Sequence, residues 1–180
     1  AITTSSSIKV NPRSGFTLPE LLIGATLLMI GVVAMLGATV SQFTLNEHAR
    51  NLSWALNDAT RVMERLRQQN SGSSCNTPSA TAPTGFASWD AWLADTSTTG
   101  GGGKSVESNQ AGHELVVLTT SGTDPLTVTV AMCWRHRGRV IGECTWNGSA
   151  LVADESLVMA SDTTAIDSPA MLSTAMTCRK

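Results

Sequence analysis

The sequence predicts an α+β protein in which a long N-terminal α-helix packs on a C-terminal antiparallel β-sheet of three to four strands. Two observations lead to this class. Apolar residues recur at helical spacing from residue 45 to residue 66, after a long uncharged run, and β-branched segments separated by turn residues follow from residue 113 onward. Helices and strands that occupy separate parts of a chain are typical of α+β folds.

The uncharged run covers residues 21 to 45 and is mostly apolar. At about 1.5 Å per residue, a helix of this length spans the ~30 Å hydrocarbon layer of a membrane. Gly24, Gly31 and Gly37 thin its surface, as in helices that approach one another closely in lipid. A secretory signal peptide and a simple single-pass anchor are the alternatives, but the run continues directly into a second helical pattern. We expect a transmembrane or filament-core helix over residues 16–45.

The second helical pattern covers residues 46–70 and is amphipathic. Its apolar stripe consists of Leu45, Ala49, Leu52, Leu56, Ala59, Met63 and Leu66. The opposite face carries Asn46, Arg50, Asn57, Asp58, Arg61, Glu64 and Arg65. Such a stripe favours packing of the helix on the sheet, and a short coiled coil is the alternative. Together the two segments predict one helix from about Pro19 to Asn70, roughly 75 Å long.

A variable loop is predicted over residues 71–104, with a short helix near residues 86–95. Ser, Thr, Pro and Gly dominate the stretch after the long helix and break it. In FASWDAWLAD the large apolar residues share one side of a helix: Phe86, Trp89, Trp92 and Leu93. The segment TSTTGGGGK, residues 96–104, predicts a flexible linker. It lacks the glycine spacing of a phosphate-binding loop, so nucleotide binding is not expected.

The last part of the chain, residues 105–180, is predicted to form the antiparallel sheet and a C-terminal tail. Four segments are rich in β-branched residues and partly alternate: HELVVLTTSG, DPLTVTVAMCWRH, RVIGECTWNG and SALVADESLVMAS. Turn residues separate each segment from the next. Short sequential connections of this kind favour a meander.

Four cysteines follow the apolar run: Cys75, Cys133, Cys144 and Cys178. An even number on one side of a membrane predicts two disulfides in an oxidising compartment. A two-residue turn at Gly138-Arg139 places Cys133 opposite Cys144 and leaves Cys75 to pair with Cys178. A three-residue turn over residues 137–139 aligns the apolar residues better, but it points Cys133 and Cys144 to opposite faces. We favour the first pairing and leave the turn open.

No catalytic or metal-binding set is visible in the sequence. His48 and His113 are isolated, no Cys-x-x-Cys pair is present, and no Ser or Cys has a base and an orienting partner at a recognisable spacing. We therefore expect neither an enzyme nor a protein that holds a metal ion or another cofactor. The net charge of −2 gives no reason to expect general nucleic-acid binding.

The basic cluster RHRGR, residues 135–139, is the exception to this charge balance. Its three arginines, Arg135, Arg137 and Arg139, lie at a predicted hairpin tip, where guanidinium groups are able to reach the phosphates of DNA. We regard them as candidate ligand contacts. A solvated turn with no ligand is the alternative.

The stretch SGFTLPELL resembles the processing motif of type IV prepilins and pseudopilins. Three features coincide: a short basic leader, the sequence GFTLPE, and the apolar run immediately after it. The resemblance implies that residues 1–15 are a leader peptide, that a peptidase cuts after Gly15, and that the amine of Phe16 is then methylated. Glu20 takes the family's glutamate position, the fifth of the mature chain. Pro19, where aliphatic residues are common in the family, is an accepted variant.

The resemblance also implies how the chain assembles. Glu20 and the Phe16 amine of a neighbouring subunit would attract each other and fix the axial register of a filament. The implied partners are other pilin subunits, the prepilin peptidase/N-methyltransferase and the inner-membrane assembly platform. The precursor is expected in the bacterial inner membrane, and the mature protein in a filament that spans the periplasm or reaches the extracellular space.

Within the family, the helix NLSWALNDATRVMERLRQQN is similar to that of minor pilins of the pilus modification class and of one class of secretion pseudopilins. We therefore expect a minor pilin. The alternatives are a type II secretion pseudopilin, a tip pilin that binds DNA or a surface, and a membrane-anchored domain that never polymerises.

Overall fold

The computed structural model describes residues 17–73, 75–106, 112–142, 144–153 and 168–178. Two helices lie in this part of the chain, α1 (Leu18–Gln69) and α2 (Trp89–Ala94). Its strands are β1 (Glu114–Ser121), β2 (Leu126–His136), β3 (Arg139–Ile141), β4 (Cys144–Trp146), β5 (Leu151–Ala153) and β6 (Ala170–Met176).

The chain divides into two compact units, Ala1–Asn46 and Glu47–Lys180. The described part of the first unit is the N-terminal portion of α1, and all of its side chains are exposed or half-buried. The second unit contains the rest of α1, α2 and every strand. Its hydrophobic core is formed entirely by its own residues.

Within the second unit, α1 packs on one face of a four-stranded sheet. The fully buried side chains of the helix include Ala55, Ala59, Val62 and Leu66. They meet alternate residues of β2, namely Val128, Val130, Met132 and Trp134, which are also fully buried. Alternation along a strand places such residues on one face, and full burial of each large one contributes about 1.5–3 kcal/mol. The predicted α+β class is confirmed, with the helix packed on the sheet.

The buried face of α1 differs from the predicted stripe. Leu45 and Ala49 are exposed, and Leu52 is only half-buried. The residues buried instead are Asn51, Ala55, Asp58, Ala59, Val62, Met63 and Leu66. The face rotates toward small side chains because alanine lets the helix backbone approach the sheet closely, whereas the sequence stripe weights large apolar residues.

The sheet is antiparallel, and β2 is its central strand. β1 pairs along one edge of β2, while β6 and β3 pair with successive parts of the other edge. The predicted meander is therefore wrong in one respect: β6 lies in the region predicted as a C-terminal tail, and it returns to pair with β2. The four-stranded count agrees with the prediction.

Two predicted strand segments also change. The segment over residues 139–148 divides at Gly142 into β3 and β4, and β4 pairs with β5 in a separate two-stranded sheet. The segment over residues 149–161 contributes β5, and its residues 154–161 lie outside the described part of the chain. β4 and β5 cover the second face of the main sheet, where Val117, Ala131 and Leu151 form a small apolar cluster.

The glycine run is an ordered part of the fold, so the predicted flexible linker is wrong. The amide of Gly101 donates to the carbonyl of Trp92 at 2.7 Å, and that of Gly103 donates to Leu93 at 2.9 Å. A Cβ atom on Gly101 would lie 2.6 Å from the Cα of Leu93. The run consists of glycines because its backbone packs directly against α2 and leaves no room for a Cβ atom.

Candidate functional site

The N-terminal end of α1 is capped by side chains from its first turn and from the residue before it. Leu18 is the first helical residue, and the carboxylate of Glu20 accepts hydrogen bonds from the Thr17 amide at 3.1 Å and the Thr17 hydroxyl at 3.0 Å. A glutamate at the third helical position that reaches back to the preceding Thr amide is one half of a capping box. Pro19 stands in the first turn, where an amide would have had no helical partner.

Glu20 is thus placed at the helix terminus as the sequence predicts, with a local partner that the sequence analysis did not name. The signal was present, because Thr17 and Glu20 have the spacing of a capping box. Gly15 and Phe16, the predicted cleavage and methylation positions, lie outside the described residues. The contact between Phe16 and Glu20 stays a prediction.

The large side chains in the apolar half of α1 are exposed in the described structure. Leu18, Leu28 and Met35 are 74%, 69% and 75% exposed. By length and composition α1 is a helix able to cross a membrane, and its most apolar part lies near the N-terminus. Surface of this kind is stable only against lipid or against other apolar helices.

The hydroxyl groups of this segment form their hydrogen bonds within the helix. Each hydroxyl donates to a backbone carbonyl three or four residues earlier, at distances from 2.6 to 3.2 Å, in Thr26, Thr39, Ser41 and Thr44. In hydrocarbon an unpaired hydroxyl is costly, so internal bonding of this kind suits a lipid or filament interior. A Cβ atom on Gly24, Gly31 or Gly37 would meet nothing within 4 Å, so these positions leave shallow gaps that a neighbouring helix is able to fill.

The predicted arginine cluster is placed at the β2–β3 hairpin, but two of its three members have partners within the chain. Arg137 donates to the Glu47 carboxylate at 2.6 Å. The guanidinium of Arg135 lies over the Trp146 ring, 4.2 Å from its centroid. Arg139 is exposed.

The hairpin itself turns at Arg137-Gly138, so both predicted turns are wrong. Cα pairing joins His136 to Arg139 and Trp134 to Ile141. Arg137 and Gly138 have φ values of 49° and 80°, and positive φ at both central residues defines a type I′ turn, which matches the twist of a hairpin. Sequence reasoning placed the turn one residue later because arginine rarely adopts this conformation.

Both favoured disulfides are present in the structure, Cys133–Cys144 and Cys75–Cys178. The first does not arise from direct strand pairing. The chain leaves the sheet after Ile141, and Gly142, with φ of 94°, passes over Cys133; a Cβ atom there would lie 3.0 Å from the Cys133 sulfur. The chain then places Cys144 on the same outer face of the sheet. The second disulfide joins the loop after α1 to the end of β6.

Asp58, which was predicted on the solvent face of the helix, is instead a hydrogen-bonded group inside the second unit. It is fully buried and forms an ion pair with Arg61. It also accepts from the Ser105 amide at 2.6 Å and the Ser105 hydroxyl at 2.7 Å. Arg61 extends the network to the carbonyls of Gly101 and Gly103, at 2.5 and 2.8 Å. No local sequence pattern indicates these loop contacts, because the loop residues lie 40 to 47 residues from Asp58 and Arg61 along the chain.

Among the described residues, no group of three or more His, Cys, Asp or Glu side chains is arranged to hold a metal ion. The features that this part of the chain does assemble are a capped apolar helix, exposed along its first half, and a disulfide-bonded α+β unit. They define a membrane-anchored protein whose helix continues into a folded unit.

Comparison with known families narrows this class. Residues 10–36 match the model of the prokaryotic N-terminal methylation motif. The match covers the predicted cleavage position and the start of the apolar helix, and it supports the type IV pilin and pseudopilin family, whose subunits are structural. No curated protein and no solved structure shows significant similarity to the chain.

Proposed function

We propose that this chain is the precursor of a minor subunit of a type IV pilus-like filament, cleaved after Gly15, methylated on the amine of Phe16 and assembled through α1. The observation that carries the proposal is the coincidence of the methylation motif, over residues 10–36, with a helix whose first half is apolar and fully exposed. A helix that emerges from lipid with this surface needs equivalent helices to cover it in a filament.

The geometry of Glu20 supports its proposed role in assembly. In the single chain its carboxylate accepts two bonds from Thr17, both through one oxygen, Oε2. A carboxylate offers about four acceptor sites, so the group retains capacity for the Phe16 amine of a neighbouring subunit. An amine and a carboxylate brought together at the edge of an apolar helix bundle attract strongly, and a partner at the wrong height leaves a buried charge unpaired. The pair therefore selects one axial register.

The partners of the proposed subunit are other pilins, the prepilin peptidase/N-methyltransferase and the inner-membrane assembly platform. The precursor resides in the bacterial inner membrane, and the mature chain belongs to a filament that crosses the periplasm or reaches the cell exterior. The role is structural rather than enzymatic. The internal partners of Arg135 and Arg137 do not favour the alternative of DNA binding at the hairpin tip.

Processing is tested by mass spectrometry of the protein from cells that express the prepilin peptidase. We expect an N-terminal peptide that begins at Phe16 and carries one methyl group on its amine. A Gly15→Ile variant, whose branched side chain blocks the cleavage position, is expected to retain residues 1–15. Wild-type protein that keeps its leader in the presence of an active peptidase would contradict the proposal.

Assembly is tested with two substitutions of Glu20. Glu20→Gln keeps an amide oxygen that is able to cap the Thr17 amide but removes the charge, whereas Glu20→Ala removes both. If the charge pair sets register, both variants lose incorporation into filaments by about tenfold or more, which corresponds to at least ~1.4 kcal/mol. The measurement is subunit-specific gold labelling of sheared filaments, normalised to the membrane pool. Normal incorporation of Glu20→Gln would show that capping alone is required.

A further inference from the structure

A cavity in the second unit has no part in the proposed assembly. It has a volume of about 720 Å³ and lies between the last turns of α1 and the loops at residues 83–84 and 98–101. Sites for small ligands commonly have volumes of about 300–1,000 Å³. The walls come from four separate stretches of the second unit, among them Trp92 of α2 and part of the ordered glycine run.

The α1 wall carries two guanidinium groups one helical turn apart, on Arg61 and Arg65. The Nε–H groups of both are buried and have no hydrogen-bond partner among the described residues. Arg65 makes one long hydrogen bond, from Nη1 to the Gln68 side-chain oxygen at 3.4 Å. Buried donors of this kind cost free energy unless a ligand or water accepts from them, so each requires an explanation.

The charge balance around the cavity indicates which kind of ligand group suits it. Arg61 is neutralised by Asp58, and Glu64 is bonded to Arg67 at 2.7 Å. Arg65 is left as the cation of this wall without a carboxylate partner in the described part of the chain. One surplus positive charge on the half-buried guanidinium of Arg65 matches one carboxylate, which guanidinium groups bind through two parallel hydrogen bonds.

The rest of the wall is uncharged and combines polar side chains with the apolar side chains of Pro83 and Trp92. It includes the amides of Gln68 and Gln69 and the hydroxyls of Thr84, Thr98 and Thr99. Amides and hydroxyls both donate and accept hydrogen bonds, and so do the hydroxyl groups of sugars. The backbone of Gly100 and Gly101 completes the wall. A ligand that fills this space combines a single carboxylate with several hydroxyl groups.

We propose that this cavity binds a carboxylated sugar residue of an acidic polysaccharide, with its carboxylate on the guanidinium of Arg65 and its hydroxyls on the surrounding amides and threonines. The inference goes beyond filament assembly and is independent of it, because every wall residue lies in the second unit and none belongs to the apolar half of α1.

The test is isothermal titration calorimetry of the full chain in detergent micelles with trigalacturonate as the probe. We expect saturable binding, and about tenfold weaker binding or more of the fully methyl-esterified trisaccharide, which keeps the hydroxyls but has no negative charge. Equal affinity for the acid and the ester would overturn the role of Arg65. The absence of saturable binding to the acid would overturn the proposal as a whole.

Three variants test whether binding occurs at the cavity. Arg65→Gln is expected to weaken binding about tenfold or more, and Arg65→Lys about threefold or more, because lysine keeps the charge and loses the planar donor edge. Arg50→Gln is the matched control: it removes a guanidinium from the same helix, where Arg50 lies over the Trp54 ring outside the cavity, and we expect a change below about twofold.

Folding of each variant is checked by its thermal unfolding. If Arg50→Gln weakens binding as much as Arg65→Gln, the site is elsewhere and the proposal fails. A triglutamate peptide is the second probe. If it binds as tightly as trigalacturonate, the cavity recognises carboxylates without the sugar hydroxyls, and the saccharide assignment is overturned. Neither result bears on cleavage after Gly15 or on filament growth.

Discussion

At the scale of single residues, Asp58 shows how burial can reverse the meaning of a charged side chain. It belongs to the set of polar and charged residues that the sequence pattern predicts on the solvent face of an amphipathic helix. In the structure it is fully buried, and it is bonded to Arg61 and to the amide and hydroxyl of Ser105. A buried carboxylate with this many partners fixes a loop against a helix.

Substitution of Asp58 by alanine tests that role. The change leaves the Ser105 amide without its acceptor and Arg61 without its carboxylate partner, and loss of one partner of a buried pair costs about 3–5 kcal/mol. Glu64→Ala removes a carboxylate from an exposed pair with Arg67 and should cost less than about 1 kcal/mol. Urea unfolding of both variants measures the two values. Similar losses for the two would show that Asp58 acts only as a surface charge.

Single residues also mark the limit of sequence reasoning here. Glu20 was placed correctly because its neighbours in sequence define its position at the start of a helix. Asp58 was placed wrongly because its partner Ser105 follows it by 47 residues, and no local pattern encodes that contact. Arg137 has the left-handed conformation of a type I′ turn, which residue preference assigns to Asn or Gly.

At the scale of elements, the long helix and the two main strands were predictable because their patterns are long. β1 and β2 contain runs of β-branched residues bounded by turn residues, and the structure confirms the sheet that they form. β6 was missed because its sequence, AMLSTAM, has one β-branched residue and resembles a polar tail. It is a strand because the partner edge of β2 accepts its backbone hydrogen bonds.

The elements are joined by two disulfides whose effects on stability should differ. Cys75 and Cys178 are separated by 103 residues, whereas Cys133 and Cys144 are separated by 11. In the chain-entropy model a crosslink that closes a loop of about 100 residues contributes ~4.7 kcal/mol, and one of about 15 residues contributes ~3 kcal/mol.

We therefore expect the double substitution Cys75→Ser with Cys178→Ser to destabilise the protein more than Cys133→Ser with Cys144→Ser. The difference should be about 1–2 kcal/mol in the free energy of unfolding, measured by urea titration without reductant. The Cys133–Cys144 disulfide lies against a buried apolar cluster, so packing losses add to its removal. A larger loss for that pair would mean that packing, rather than chain entropy, dominates its contribution.

At the scale of the whole molecule, the two units of the chain depend on different environments for their stability. The first unit has no buried side chain in its described residues, and its surface needs lipid or other helices. The second unit has its own hydrophobic core, which includes the buried part of α1. The methylation motif at residues 10–36 lies within the first unit, so the resemblance to pilins was recognisable from sequence while the details of the second unit were not.

A chain that begins at Glu47 should therefore fold without the apolar segment. We expect a soluble monomer with both disulfides, a cooperative thermal transition, and a Tm within about 5 °C of that of the second unit in the full chain, since ~1 kcal/mol shifts Tm by a few degrees at this size. Size-exclusion chromatography and circular dichroism measure these properties. Aggregation of this fragment, or a non-cooperative transition, would show that the first unit contributes to folding of the second.

The Cys75–Cys178 crosslink has a mechanical consequence. All six strands in the described part of the chain lie between these two cysteines, so the crosslink encloses them in one covalent ring. When tension pulls on the N-terminal helix and is resisted at the C-terminus, the load passes through the sulfur bridge and bypasses the strands. Stretching then extends the segment before the ring, which includes the part of α1 that packs on the sheet, and the strands inside the ring cannot be pulled out end to end until the bridge is reduced.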